Sequence, residues 1–272
     1  VNDSLELALS GFFQKALSDT ELNNLTSLTQ AVSDSAFKQA VNRPPDNTGL
    51  VGYWSFEDGA GTKATDFSGN GNHGTLTNGP TWADGRFGKA ASFDGTDDYV
   101  NIASMTGLPS GMMTVSAWVK ISTHKNYNNI VGHEWTASNG SWLLFSNSSG
   151  NVYFGIYDTS QHTASVTGLS AGVWHHIVGT YDGSVIKIYS DGVAGSSTAL
   201  GGATLDNAGQ VTISNSVGSV FSGQIDDVRI YSRVLPEAEI RNLYQKASSA
   251  KLNASQNDRM TNGLVGLWSF NG

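Results

Sequence analysis

Between Gly49 and about Tyr231 the apolar residues fall in short runs, most with an alternating character, separated by clusters of Gly, Asn, Asp and Ser. That rhythm predicts β-strands, because successive strand side chains point to opposite faces. Residues 115–120 are an example: Val115, Ala117 and Val119 share one face, and Trp118 joins from the other. Trp142-Leu143-Leu144-Phe145 and the run from Val152 to Tyr157 flank Ser146-Asn147-Ser148-Ser149-Gly150-Asn151, which predicts a hairpin with a Gly-bearing turn. The runs 174–181 and 185–189, punctuated by Asp182-Gly183 and Asp191-Gly192, predict a meander whose Asp-Gly pairs supply positive φ. Residues 225–231 supply a closing strand. Pro236 then opens a short helix, since its missing N–H costs nothing in the first turn.

Upstream the pattern changes. Leu5, Leu9, Phe12, Phe13 and Ala16 give residues 4–42 an imperfect helical stripe, and Ser18-x-x-Glu21 reads as a capping box. Pro44-Pro45-Asp46-Asn47 breaks it. The expected fold is therefore all-β, a two-sheet antiparallel jelly-roll sandwich with a helical N-terminal segment and a short C-terminal helix.

One repeat bears on the boundaries. The ten residues from Gly49 to Asp58 return as those from Gly263 to Gly272, a spacing of 214 (263 minus 49), and residues 17–25 resemble 235–243, a spacing of 218 (235 minus 17). Self-similarity at so long a distance suggests whole-domain units. The expected organisation is a helical segment and linker at 1–46, a sandwich at 47–246, a linker at 247–262 and the first strand of a second unit at 263–272.

Composition narrows the function. Charged residues make up 14%, Gly numbers 32 of 272, and the net charge is −8, which argues against a nucleic-acid partner. There is no cysteine, so disulfides, thiolate zinc sites and cysteine nucleophiles are excluded. No apolar run approaches a membrane span.

Five motifs occur in order: residues 50–59 (LVGYWSFEDG), 66–74 (DFSGNGNHG), 88–95 (GKAASFDG), 174–183 (WHHIVGTYDG) and 223–231 (GQIDDVRIY). Together they resemble the laminin G-like, concanavalin A-like jelly-roll domain of bacterial extracellular proteins, over about residues 49–246. The resemblance implies two curved antiparallel sheets, often with a structural calcium ion, and binding of glycans or protein. It does not imply one ligand.

Several residue groups are candidates for a site. The loop 65–74 carries Asp66, Asn70 and Asn72 among three glycines and could converge carboxylate, amide and carbonyl oxygens on Ca2+; the alternative is that these side chains hold the turn. Asp94 and Asp97, with Asp98, crowd one turn, either solvated or part of the calcium site. Asp226 and Asp227 are expected to diverge, one turning inward to a cation or a buried partner. His175 and His176 should diverge likewise and not chelate one ion. Tyr127, Trp135, Tyr157 and His162 lie on loop-like stretches and are the candidate glycan-binding rim.

No strand carries the paired acids of a glycosidase, and no nucleophile elbow or phosphate loop is present. The expectation is a non-catalytic extracellular or cell-surface module for adhesion or surface architecture, with glycan binding as the alternative and a glycoside hydrolase as a minor one. The expected partners are a glycan or a surface protein, together with self-association through strand 264–270.

Overall fold

The computed structural model describes residues 47–133, 140–206, 209–216 and 219–245, all within the unit Asn47–Gly272. The N-terminal helices, Trp135, the linker 247–262 and the repeated strand 263–272 with its proposed strand pairing lie outside the described residues.

In chain order the strands are β1 Leu50–Trp54, β2 Lys63–Ala64, β3 Gly74–Thr77, β4 Thr81–Asp84, β5 Lys89–Asp94 and β6 Tyr99–Ile102. Then come β7 Met113–Ile121, β8 Asn128–His133, β9 Ser141–Ser146, β10 Val152–Tyr157, β11 Gln161–Val166 and β12 Trp174–Tyr181. The last six are β13 Val185–Ser190, β14 Val193–Ala199, β15 Val211–Ile213, β16 Asn215–Ser216, β17 Ser219–Val220 and β18 Ser222–Tyr231. Residues 237–245 form helix α1. It starts as Pro236 predicts, with Glu239 and Ile240 N–H donating to the Pro236 carbonyl.

Two eight-stranded antiparallel sheets form the sandwich. The first has the order β14-β13-β12-β7-β18-β5-β4, with β1 also on β18; the second has the order β11-β10-β9-β8-β15-β6-β3-β2. Alternation sends Val115, Ala117 and Val119 of the first sheet and Trp142, Leu144, Phe154 and Ile156 of the second into one shared core. Gly179 sits where the layers press closest: a Cβ there would lie 2.3 Å from the Phe154 ring. The outer face of the first sheet is covered by α1, whose Ile240 and Leu243 pack with Val178, Tyr189 and Tyr231. Trp118, the outward member of its strand, is buried by that cover and stacks on Tyr244 at 5.7 Å.

The meander is present, with one difference from expectation. Asp191 and Gly192 both have positive φ in the two-residue turn joining Ser190 to Val193. In the other turn only Gly183 does. The Asp182 carboxylate caps that turn instead, accepting the N–H groups of Ser184 and Val185 at 2.8 and 2.7 Å.

Candidate functional site

The outer face of the second sheet is built by the residues that alternate with the core set. Val152 pairs with Ser146, which closes the predicted hairpin over Asn147–Asn151 and places Tyr153 opposite Phe145 and Phe145 opposite Asn129. The rings of Phe145 and Tyr153 stack at 5.1 Å and 18°, and Tyr127 stacks on Phe145 at 5.8 Å and 22°. Three near-parallel rings thus stand side by side across the strands. Phe145 is sandwiched and buried, while Tyr127 at one end remains 54% exposed. Asn147 donates to the Tyr153 hydroxyl at 3.1 Å and fixes that ring. Tyr127 also holds a left-handed backbone, φ 59°, uncommon for an aromatic residue and costly relative to the ordinary regions.

Phe145 and Tyr153 were legible in the sequence only as strand residues. The hairpin register was the signal that could have joined them to Tyr127. Tyr157 lies on the same face, four residues along β10 from Tyr153, and its carbonyl accepts the Gly140 N–H at 2.7 Å. His162 sits on β11, its Nε2 within reach of both Asp158 Oδ1 (3.2 Å) and Ser160 Oγ (3.0 Å). Both neighbours use one nitrogen, so the Ser, His and Asp do not form a relay, which needs both ring nitrogens.

Asp66, Asn70 and Asn72 come together in one loop against β1. The Asp66 carboxylate accepts four donors: Tyr53 N and Ser68 N on one oxygen, Ser68 Oγ and Asn72 N on the other, all at 2.8–2.9 Å. Asn70 donates to the Leu50 and Val51 carbonyls at 3.1 and 3.0 Å. Asn72 donates to Val51 and Thr106 carbonyls and accepts the Thr106 N–H at 2.9 Å. His73 Nδ1 accepts the Asp66 N–H at 3.0 Å. In this geometry the carboxylate and both amides are already engaged in holding the turn, so a cation would have to displace bonds that position β1.

Asp94, Asp97 and Asp98 meet in a second place, each offering an oxygen within 4.8 Å of the others. Asp94 and Asp97 are exposed, whereas Asp98 is buried and accepts the Asp94 N–H at 3.0 Å. Burial raises the Asp98 pKa, and the charges of Asp94 and Asp97 raise it further.

Asp226 stands apart in a third environment. A bulge in β18 interrupts its register with β7 between Asp226 and Arg229, and Asp227 takes φ 53°. Asp226 is buried and accepts the Phe87 N–H at 3.0 Å, and its Oδ1 has no hydrogen-bond partner. Burial is the main cause that pushes its pKa up to about 8. Asp227 instead pairs with Arg229 at 3.1 Å, and that guanidinium lies 4.3 Å from the Tyr53 ring.

The two histidines diverge as expected. His175 bonds Asp191 at 2.8 Å, while His176 is buried against Trp118 at 5.2 Å with Ser116 Oγ at 2.9 Å from its Nε2. Desolvation drives the His176 pKa down to about 3, and the Arg229 charge adds to that.

Residues 94–241, from the end of β5 into α1, match a family model described as the concanavalin A-like lectin/glucanases superfamily. That is more than half of the chain. The chain belongs to this superfamily. No curated protein matches the sequence significantly. Among solved structures, it is similar to domain 4 of AbnA, an extracellular GH43 arabinanase from Geobacillus stearothermophilus, in complex with arabinotriose. The identity is 23% and the TM-score 0.62, covering 72% of this chain and 98% of that one. It is also similar to the binding domain of Paraclostridial Mosquitocidal Protein 1 (19% identity, TM-score 0.57, 72% of this chain and 52% of that one). A third is the receptor-binding domain of a botulinum neurotoxin C/D mosaic serotype (18%, 0.59, 74% and 52%). The chain therefore spans about half the length of the two toxin domains. These likenesses establish the jelly-roll fold. No helix among the described residues is long and apolar enough to cross a membrane.

Proposed function

We propose that this domain is a non-catalytic glycan-binding module that acts outside the cell, attaching the protein that carries it to a carbohydrate surface. The observation that carries the reading is the ring stack ending in Tyr127. A flat ring covers the apolar face of a sugar, and a sugar laid on Tyr127 would become the next layer of a stack already held by Phe145 and Tyr153. The positive φ of Tyr127 is a local cost that a presented ring explains. Two comparisons support the reading: the arabinanase domain was solved with arabinotriose, and the toxin domains are named for binding.

Glycan-array and calorimetric binding by the whole chain tests it. Tyr127→Ala should weaken binding about tenfold or more, in the range for one lost stacking contact. Tyr127→Phe should bind and melt like the parent, while Tyr127→Ala, which uncovers one side of Phe145, should remain folded with a modestly lower melting temperature. Undiminished binding by Tyr127→Ala would sink the assignment.

Calcium belongs to the proposal as a structural ion, at the turn of Asp94, Asp97 and Asp98. The donor set suits it, since calcium takes carboxylate oxygens in flexible geometry and water completes the shell. A cation there would also relieve the repulsion among three crowded carboxylates. Asp226, with its unpartnered buried oxygen, supplies one carboxylate and no described acidic neighbour in a comparable cluster.

A further inference from the structure

On the face that holds the ring stack, the polar side chains are hydroxyls and amides. Ser165 and Thr163 on β11, Asn129 on β8, Thr212 on β15 and Asn101 on β6 all alternate with core residues and face the same way as Tyr153. Moving from β11 across to β3, no described strand residue on this face is charged; Lys63 on the edge strand β2, opposite Thr75, is the first. Seven strands at about 4.8 Å spacing make this uncharged sheet face about 29 Å wide, with β8 and β9 at its middle buried and half-buried residues on β6, β10, β11 and β15 to either side. The chain has 38 charged residues (15 plus 23), and those in the described part lie off these seven strands or off this face.

The described charges that border it are of both signs, Lys63 on the edge strand β2 and Asp158 in the turn after β10. Asp158 directly follows Tyr157, and the N–H groups of Ser160 and Thr159 hold its pKa below the usual carboxylate range. The chain as a whole carries −8. The cation nearest to Tyr127 in sequence, Lys125, is engaged with the Gly95 carbonyl at 2.9 Å, beside the Asp94 turn. Recognition of a carboxylate or sulfate normally uses an Arg fork or a clustered positive field. Among its described strand residues this face offers neither.

From this we infer that the ligand is an uncharged glycan, read by ring stacking and by hydroxyl and amide hydrogen bonds, and that sialylated, uronate-rich and sulfated glycans are rejected. The inference rests on the glycan-binding reading above and names the ligand class for the same face. The half-buried Ser165 and Thr163 hydroxyls can each both donate and accept, which suits neutral hydroxyl-rich sugars, whereas Asn129 is buried and donates to the Ser219 carbonyl, and Thr212 and Asn101 already bond Asn215 and Gln210. Affinity of this kind does not depend on counterion screening and so varies little with salt.

The test uses the whole chain in affinity electrophoresis and calorimetry against two sets of probes, at low and high salt. The neutral set is arabinan, galactan, xylan, mannan and β-glucan; the anionic set is polygalacturonate, hyaluronan, heparin and sialyllactose. The expected result is binding to at least one neutral probe, changed less than about twofold by salt and weakened by Tyr127→Ala. Introducing a positive charge through Thr163→Lys should not improve that binding. Retention on anionic probes alone, lost at high salt, would overturn the inference of neutrality while leaving glycan binding intact. Absence of binding to both sets would overturn the glycan-binding reading itself.

Discussion

Two buried titratable side chains on the outer face of the first sheet work in opposite directions. Asp226 stays protonated in the fold up to about pH 8, against an ordinary value of 3.8, whereas His176 stays neutral down to about pH 3, against 6.5. Between 3.8 and 6.5 the unfolded chain carries the proton on histidine and the folded chain carries it on Asp226, so the two contributions to the pH dependence cancel. From 6.5 to 8 only the folded chain holds the Asp226 proton, and stability falls as pH rises. Asp226→Asn removes that proton from both states. With chelator present, urea unfolding of the variant should lose the decline above pH 6.5 and should show stability falling as pH drops from 6.5 toward 3. Identical pH profiles for variant and parent would mean that Asp226 is ionised in the fold. Its raised pKa could not have been inferred from the sequence. Asp226-Asp227 looked like a simple alternating pair, and only the bulge and the Phe87 turn decide that Asp226 is enclosed and Asp227 is paired with Arg229.

At the scale of elements, close layer packing depends on a few positions without side chains. Gly179 on β12 faces Phe154 on β10, and both belong to strands paired on both sides within their sheets. Gly179→Ala should destabilise by about 1–3 kcal/mol through overpacking, read as a lower urea midpoint with an unchanged slope. A neutral result would indicate that the Phe154 ring moves freely. The strand pattern around both residues was readable, since periodicity two and turn residues are local properties. The hairpin at 147–151 and the Asp191-Gly192 turn followed from the sequence for that reason. The loop 65–74 was read as a metal candidate or a self-held turn; its four-donor Asp66 hub and the Asn70 and Asn72 bonds to β1 depend on strands distant in sequence.

At the scale of the molecule, a bound ion acts by mass action on the folded state. If calcium occupies the Asp94, Asp97 and Asp98 turn, added calcium should raise the melting temperature, EDTA should reverse the shift, and Asp98→Asn should abolish it. The stabilisation expected at a hundredfold excess over the dissociation constant is about 2.7 kcal/mol. A calcium shift that survives Asp98→Asn would move the site elsewhere, with Asp226 the next position to substitute.

The sequence by itself determined the fold class, the strand rhythm, the closing helix at Pro236 and the family, because alternation, turn chemistry and ordered motifs are written along the chain. It also contained Tyr127 and Tyr157 as candidates. Only the tertiary structure decided that Tyr127 is backed by Phe145 and Tyr153, and that no described strand residue on a seven-strand face is charged. Each of these depends on the lateral order of strands in a sheet, which long-range pairing sets and local pattern does not encode.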